Sequence, residues 1–395
     1  MTVDRASGWR RLLSGSACTV CGVCTVCAAL AASLAACSGD DRAGGTVVQA
    51  DRAHCGQGWG DPRAGTQTLR VHNSDSASAE VDLIDPSSGA IYAELEGVGP
   101  GTTRSMRVTL GGGTYAFWCF PEGGHPVTGP RVAVRGPAGG PAVRPVTQND
   151  LFPALRSYRA YVTKGLGVLR DRTDELRDAV RSGDLDAARG KWLPAHLAYE
   201  RLGAAYGTFG DFADKIDGRP AGLPGGVHDS GFTGFRRVEY GLWHGESAAS
   251  LRKPADQLAG DVRALIDDFP REQIDPTDLG LRAHEILENT VQFELTGKGD
   301  QGSGTALATA SANLEGTRAV LDPMRPVLKP RMDLTGIDTW LGRTAKLLEA
   351  QHEHGRWTPL DELSTTDREH INGAVGELVE RLASVATVAA VRRTS

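Results

Sequence analysis

Between Gly136 and Val146 the chain reads GPAGGPAVRPV, and the hydrophobic pattern is different on its two sides. Gly and Pro at this density break regular structure, so the stretch reads as a linker within residues 136–149. Upstream, over residues 47–135, runs such as VVQA, TQTLRVHN, AEVDLI, IYAEL, TRSMRVTL, GTYAFWCF and RVAVRG are separated by Gly, Pro, Asn, Asp and Ser. Leu69/Val71, Val81/Leu83 and Tyr115/Phe117/Cys119 repeat every second residue, the period of a strand with one buried face. Several short strands at close spacing predict a β-sandwich.

Downstream, over residues 150–392, the period lengthens to three and four. Leu151, Leu155, Tyr158, Val162, Leu166 and Leu169 line one helical face, with Asn149 or Asp150 as its cap. Asp184 caps a second helix carrying Leu185, Ala188, Trp192 and Tyr199 inward, which Pro194 should kink or restart. Further periodic sets are Leu258/Val262/Leu265/Ile266, Leu281/Leu287/Val291, Leu307/Leu314/Val320/Leu321, Leu334/Ile337/Trp340/Leu341 and Ile371/Val375/Leu378/Leu382. Seven or more helices with almost no strand signal predict a helical bundle. The fold class is therefore multidomain, β followed by all-α. The Gly-rich segment 207–245 reads as largely irregular, where sites are often built.

The N-terminus has its own logic. Arg5, Arg10 and Arg11 precede an apolar run from Leu12 to Ala36, which ends Leu34-Ala35-Ala36-Cys37. This is the layout of a secretory leader with a lipobox, so residues 1–36 read as a signal peptide, Cys37 as the lipidated first residue and 37–46 as a tether. A single-pass anchor is the alternative. Cys18, Cys21, Cys24 and Cys27 have the spacing of an iron–sulfur ligand run but fall in the apolar leader and would be removed with it. That leaves Cys55 and Cys119 in an exported, oxidising compartment, where a disulfide is the simple expectation. Losing the leader takes the formal net charge from −6 to −8, because three Arg and one Asp go with it. With no basic patch or Lys/Arg-rich tail, nucleic acid is not an expected partner.

Candidate chemistry gathers between Trp192 and His244. His196 and Glu200 are four apart and share a helical face with Trp192 and Tyr199. Such a pair either chelates a cation or is a core histidine beside a glutamate paired to Lys191 or Arg201. Glu239 shares a flank with Phe235 and Leu242, so it needs an ion, a proton or a partner, Arg236 being the local one. Asp217, followed by Gly218, reads first as a turn. His284-Glu285 begins like a zincin motif, but position 288 is Glu288, so the imidazole pair is missing. His284 and Glu288 share a face that offers a secondary cation site, but an ordinary capped, ion-paired helix is the simpler reading. His352 and His354 read as solvated and pointing apart on a helix. In the β part, His125 follows Cys119, but Met106 precedes it, which does not suit a blue-copper centre.

Four segments carry a family resemblance: HLAYERLGAAYGTFGDFADKID, FTGFRRVEYGLWHG, HEILENTVQFELTG and, in the β part, GTYAFWCFPEGGHPVTGP. The chain resembles EfeO-type iron-uptake lipoproteins, with a cupredoxin-like β-sandwich followed by an M75-type (imelysin-like) helical bundle. The resemblance implies an iron site, Fe3+ or Fe2+, at His196, Glu200, Asp217 and Glu239. It implies a second site for iron or copper at Cys55, Glu80, Cys119 and Glu122, which a Cys55–Cys119 disulfide would abolish. The family pattern is H-x-x-E, whereas here the spacing is His196-x-x-x-Glu200. A histidine often stands at the place of Arg236, and His228 lies near enough in sequence to substitute. The implied partners are an iron permease in the membrane and a Dyp-type haem peroxidase, with a lipid anchor holding the protein outside the cell membrane. The implied role is binding rather than catalysis. The alternatives are an M75-type metallopeptidase, against which the missing H-E-x-x-H and G-x-S-x-G motifs count, and a surface scaffold.

Overall fold

The computed structural model describes residues 47–392, residues 61 and 138 excepted. The expected leader segment 1–36, with Cys18, Cys21, Cys24 and Cys27, and the expected lipidation position Cys37 lie outside the described residues. Among the described residues no helix is long and apolar enough to cross a membrane.

The period-two segments form β1 (Val47–Gln49), β2 (Gly65–His72), β3 (Ala79–Ile84), β4 (Ile91–Val98), β5 (Thr103–Leu110), β6 (Gly113–Pro121), β7 (Val127–Thr128) and β8 (Val132–Val134). One sheet has the order β1-β2-β5, with β1 parallel to β2; the other runs β4-β3-β6-β7, with β8 also on β6. Val48, Leu69, Val71, Met106 and Val108 from the first sheet meet Val81, Leu83, Tyr115 and Phe117 from the second in a single core. Burial of these alternating faces is the main force holding the sandwich together. Met106 lies inside this core, so it is no axial ligand, and His125 is exposed.

The helical region comprises α1 (Gln148–Ser182), α2 (Leu185–Glu200), α3 (Tyr206–Phe209), α4 (Asp211–Asp217), α5 (Gly234–Trp243), α6 (Ala248–Asp268), α7 (Asp278–Asn289), α8 (Ala306–Leu328), α9 (Thr335–Glu349) and α10 (Thr365–Ala389). Thr147 caps α1 through a capping box with Asp150, so the acidic residue sits one turn inside the helix rather than at its cap. Asp184 caps α2 as its sequence predicts. Pro194 does not restart α2, which runs unbroken to Glu200. Pro194 and Gly190, whose carbonyl loses its helical donor, are both exposed, so water can satisfy that carbonyl.

Two other expectations fail for local reasons. Leu281 and Val291 are exposed, at 42% and 38%. The buried side of this segment is Leu279, Ala283, Ile286 and Leu287, and a π-turn over Thr290–Glu294 then shifts the phase. His352 and His354 lie not on a helix but at a hairpin of β9 (His352–Glu353) and β10 (Arg356–Trp357), where His352 stacks on Trp357 at 4.6 Å.

The two regions meet at one corner. Val146 bridges Val391 in parallel, Arg392 N donates to Val146 O at 3.1 Å, and the Arg392 guanidinium reaches Glu94 of β4 at 3.1 Å.

Candidate metal centre

The site forms where α2, α4, α5 and the π-turn converge. His196 sits on the buried face of α2, its ring stacked on Trp192 at 4.8 Å and edge-on to Phe235 at 5.4 Å. Trp192 is itself fixed by a hydrogen bond from Nε1 to Phe235 O at 3.0 Å. One turn on, Glu200 lies 5% exposed. Asp217 is the last residue of α4, placed there because Gly234 opens α5 at φ +80 directly against the Ile216 carbonyl. A Cβ at position 234 would overlap that carbonyl and push α4 away from α5.

His196 Nε2 faces both carboxylates, Glu200 Oε1 at 2.9 Å and Asp217 Oδ1 at 3.1 Å. The ligand atoms of these three residues lie within 4.8 Å of one another. Arg236 of α5, 2% exposed, completes the cluster. Its Nε donates to Asp217 Oδ2 at 3.2 Å, and its Nη2 donates to Glu200 Oε1 at 3.3 Å and to Glu294 Oε1 at 3.1 Å. Its Nη1 stands 3.8 Å from Glu239 Oε2.

The structure therefore brings His196, Glu200 and Asp217 together but sets Glu239 against a different nitrogen of the guanidinium. Glu239 Oε1 accepts from Gln301 N at 3.0 Å and from Ser303 Oγ at 2.6 Å, while Oε2 is buried without a hydrogen-bond partner among the described residues. Glu294 was not read from sequence as a site residue. The π-turn swings it inward, and Gly299 packs against its carboxylate where any Cβ would overlap. Its one trace in the sequence is its place in HEILENTVQFELTG.

Electrostatics follow from burial and from Arg236. Burial and Arg236 both press the His196 pKa down, but Asp217 and the hydrogen bonds to Asp217 and Glu200 outweigh them and push it up to about 9. Burial raises Asp217, yet Arg236 and His196 overcome it and hold the carboxyl below its ordinary range. Burial dominates at Glu239, pushed up to about 7 against the pull of Arg236, and at Glu294, which is also raised. The proton on His196 Nε2 thus occupies the place between two carboxylates where an ion would bind.

A cavity of about 200 Å³ opens onto this cluster, lined among others by Tyr206, Arg219, Arg282, Phe293 and Asn313. With its amide turned to suit its neighbours, Asn313 donates to Glu200 Oε2 at 2.9 Å. The expected pairing of Glu200 with Lys191 or Arg201 does not occur: Lys191 pairs with Glu175 and Arg201 with Glu315. His228 does not replace a ligand, since it lines a separate cavity with Arg237 and Glu246. His284 Nδ1 stands 3.0 Å from the Val379 carbonyl oxygen, and Glu288 lies 3.6 Å from Nε2 on the same helix face.

The second expected site, Cys55, Glu80, Cys119 and Glu122, is not assembled. Cys55 and Cys119 are joined in a disulfide, so neither offers a thiolate to copper or iron. Cys119 pairs in register with Val81 on the core face, which puts its neighbour Glu80 on the opposite face of β3, and Glu122 is exposed beyond β6.

Residues 154–385 match the Imelysin model of the M75 peptidases. The chain belongs to the imelysin family. This imelysin is 26% identical over 329 residues to the protein named iron uptake system component EfeO in Escherichia coli K12 and in Shigella flexneri, covering 82% of this chain and 85% of theirs. That length exceeds the whole helical region, so the likeness extends into the β-sandwich. A crystal structure of a putative iron-regulated protein A precursor from Parabacteroides distasonis aligns with 61% of this chain and 95% of its own, at 11% identity and a TM-score of 0.45.

Proposed function

We propose that this imelysin is an exported iron-binding protein of an EfeO-type uptake system, taking up Fe3+ or Fe2+ at His196, Glu200 and Asp217. The observation that carries the reading is the convergence of one imidazole nitrogen and two carboxylate oxygens, 2.9 and 3.1 Å apart, at the inner end of an open cavity. Donors around an octahedral ion at about 2.1 Å lie about 3 Å from one another, so the set needs little movement to accept one. Hard oxygen donors with a single imidazole suit iron. Binding displaces the His196 proton, so capture releases protons. Arg236 offsets part of the carboxylate charge, shared through Nη2 between Glu200 and Glu294 and through Nη1 with Glu239.

The relatives' names support iron as the cargo and an uptake system as the setting. On this reading the protein hands iron to a membrane permease, works beside a Dyp-type haem peroxidase and is tethered through lipid on Cys37. The M75 family name raises proteolysis, but among the described residues the cluster offers one imidazole, His196, whereas a zincin needs two.

The test is iron titration by calorimetry of Glu200→Gln and Asp217→Asn. Each should weaken binding at least tenfold, with the fold retained. Unchanged affinity in both refutes the site. Iron delivery is tested separately by uptake into permease-containing vesicles, which should fail with either variant.

A further inference from the structure

A second cluster of ligand-type side chains lies in the β-sandwich, away from the disulfide. Glu80, Asp82 and Glu94 present oxygens within 4.8 Å of one another. Strand register puts them there: Asp82 stands directly opposite Glu94 on β4 and opposite Trp118 on β6, on the face turned away from the Val81/Cys119 core. Acidic groups on a sheet are common and by themselves mean nothing.

Asp82 is what sets this one apart. It is 0% exposed, and neither carboxylate oxygen has a hydrogen-bond partner among the described residues. A carboxylate taken out of water without a partner is costly, and the two nearest groups facing it are also acidic. Arg392, at the end of the helical region, spends its Nε on Glu94 at 3.1 Å, and its Nη1 is buried without a hydrogen-bond partner among the described residues. Burial, then Glu94 and Glu80, push the Asp82 carboxyl up to about 8, against the pull of Arg392.

We propose that Glu80, Asp82 and Glu94 form a binding site for a hard divalent cation of the calcium or manganese class, at the corner where β4 meets the end of the helical region. The donors are all carboxylate oxygens, with no nitrogen or sulfur, which selects hard ions over copper or zinc. Bound there, the ion supplies the partner that Asp82 lacks and fastens β3 to β4 beside Arg392.

Trp118 gives the experiment a local reporter, because it faces Asp82 across the sheet. The full-length protein carrying Glu200→Gln, to weaken the helical site, is titrated with Tb3+ and then with Ca2+, exciting tryptophan and reading Tb3+ emission. The proposal expects saturable emission that Ca2+ displaces. Asp82→Asn should weaken it at least tenfold, and Trp118→Phe should abolish the emission while leaving Ca2+ affinity by calorimetry unchanged. The Asp82→Asn change keeps the side-chain shape and removes the charge, and Glu80→Gln carries the same expectation should that variant fail to fold. Emission as tight in both carboxylate variants as in their parent, an Asp82-dependent emission that survives Trp118→Phe, or no Ca2+-displaceable signal overturns the site. The outcome is independent of whether the helical site binds iron.

Discussion

Among the described residues two groups of carboxylates each have an arginine beside them, and the arginines do different work. In the helical region Arg236 lies among Asp217, Glu200, Glu294 and Glu239 and donates to three of them. In the β-sandwich Arg392 touches only Glu94 and leaves Asp82 with no partner. Arg236 is shared among all the carboxylates of the first group before any ion arrives, whereas in the second Asp82 has no hydrogen-bond partner among the described residues. An ion entering the helical group must therefore compete with a guanidinium and a histidine proton. An ion entering the β group relieves a carboxylate that nothing else satisfies.

The comparison can be broken most forcefully at Arg236. Arg236→Met leaves four carboxylates without their shared cation and should cost about 3–5 kcal/mol in urea unfolding under chelator. Added iron should then raise its melting temperature more than it raises that of the parent. A loss below about 1 kcal/mol would mean that the carboxylates hold their own protons and that Arg236 is not their counter-ion.

Asp82→Asn probes the other group and should act in the opposite direction. The Asp82 pKa is raised in the fold, so the folded state holds the proton more tightly than the unfolded chain does. In chelator, stability from this group is complete below about pH 4 and is lost as pH rises towards about 8. At pH 8 and above, the Asp82→Asn protein should therefore be more stable than its parent by about 1–3 kcal/mol, the scale of one unsatisfied buried polar group. Parallel stability–pH curves for the two proteins would show that Asp82 finds a partner in solution.

The smallest effect sharpens the helical site from within. Glu239→Gln should weaken iron binding by less than tenfold, because Glu239 meets Arg236 Nη1 and the Ser303 hydroxyl rather than His196. A loss as large as that of Glu200→Gln, about 1.4 kcal/mol or more, would move Glu239 into the ligand set.

Much of this was legible in the residues, and the rest was hidden for identifiable reasons. The change of hydrophobic period around 136–146 separated strands from helices because each period reports one buried face. His196 and Glu200 could be paired because four residues is one helical turn. Asp217 read as a turn, since nothing local says that α4 ends beside α2; that proximity comes from the close packing of Gly234 on Ile216. Arg236 read as a partner for Glu239 at three residues' distance, while its main partners lie on α2, α4 and the π-turn. Glu294 was invisible because a π-turn leaves no periodic trace. The Cys55/Glu80/Cys119/Glu122 set is not assembled, because its two cysteines form the disulfide that is the alternative reading, and because adjacent residues of a strand face opposite ways, which puts Glu80 on the other face from Cys119.

The bridge between Val146 and Val391 means that the chain enters and leaves its helical part through one doorway. A module whose two ends emerge side by side can be lifted out, duplicated or fused to another partner with a short connector, without threading through its neighbour. It can also be reopened elsewhere, for instance between α8 and α9, with the old ends spliced together. On this geometry the β-sandwich joins the helical part where its two ends meet, beside the Arg392–Glu94 pair.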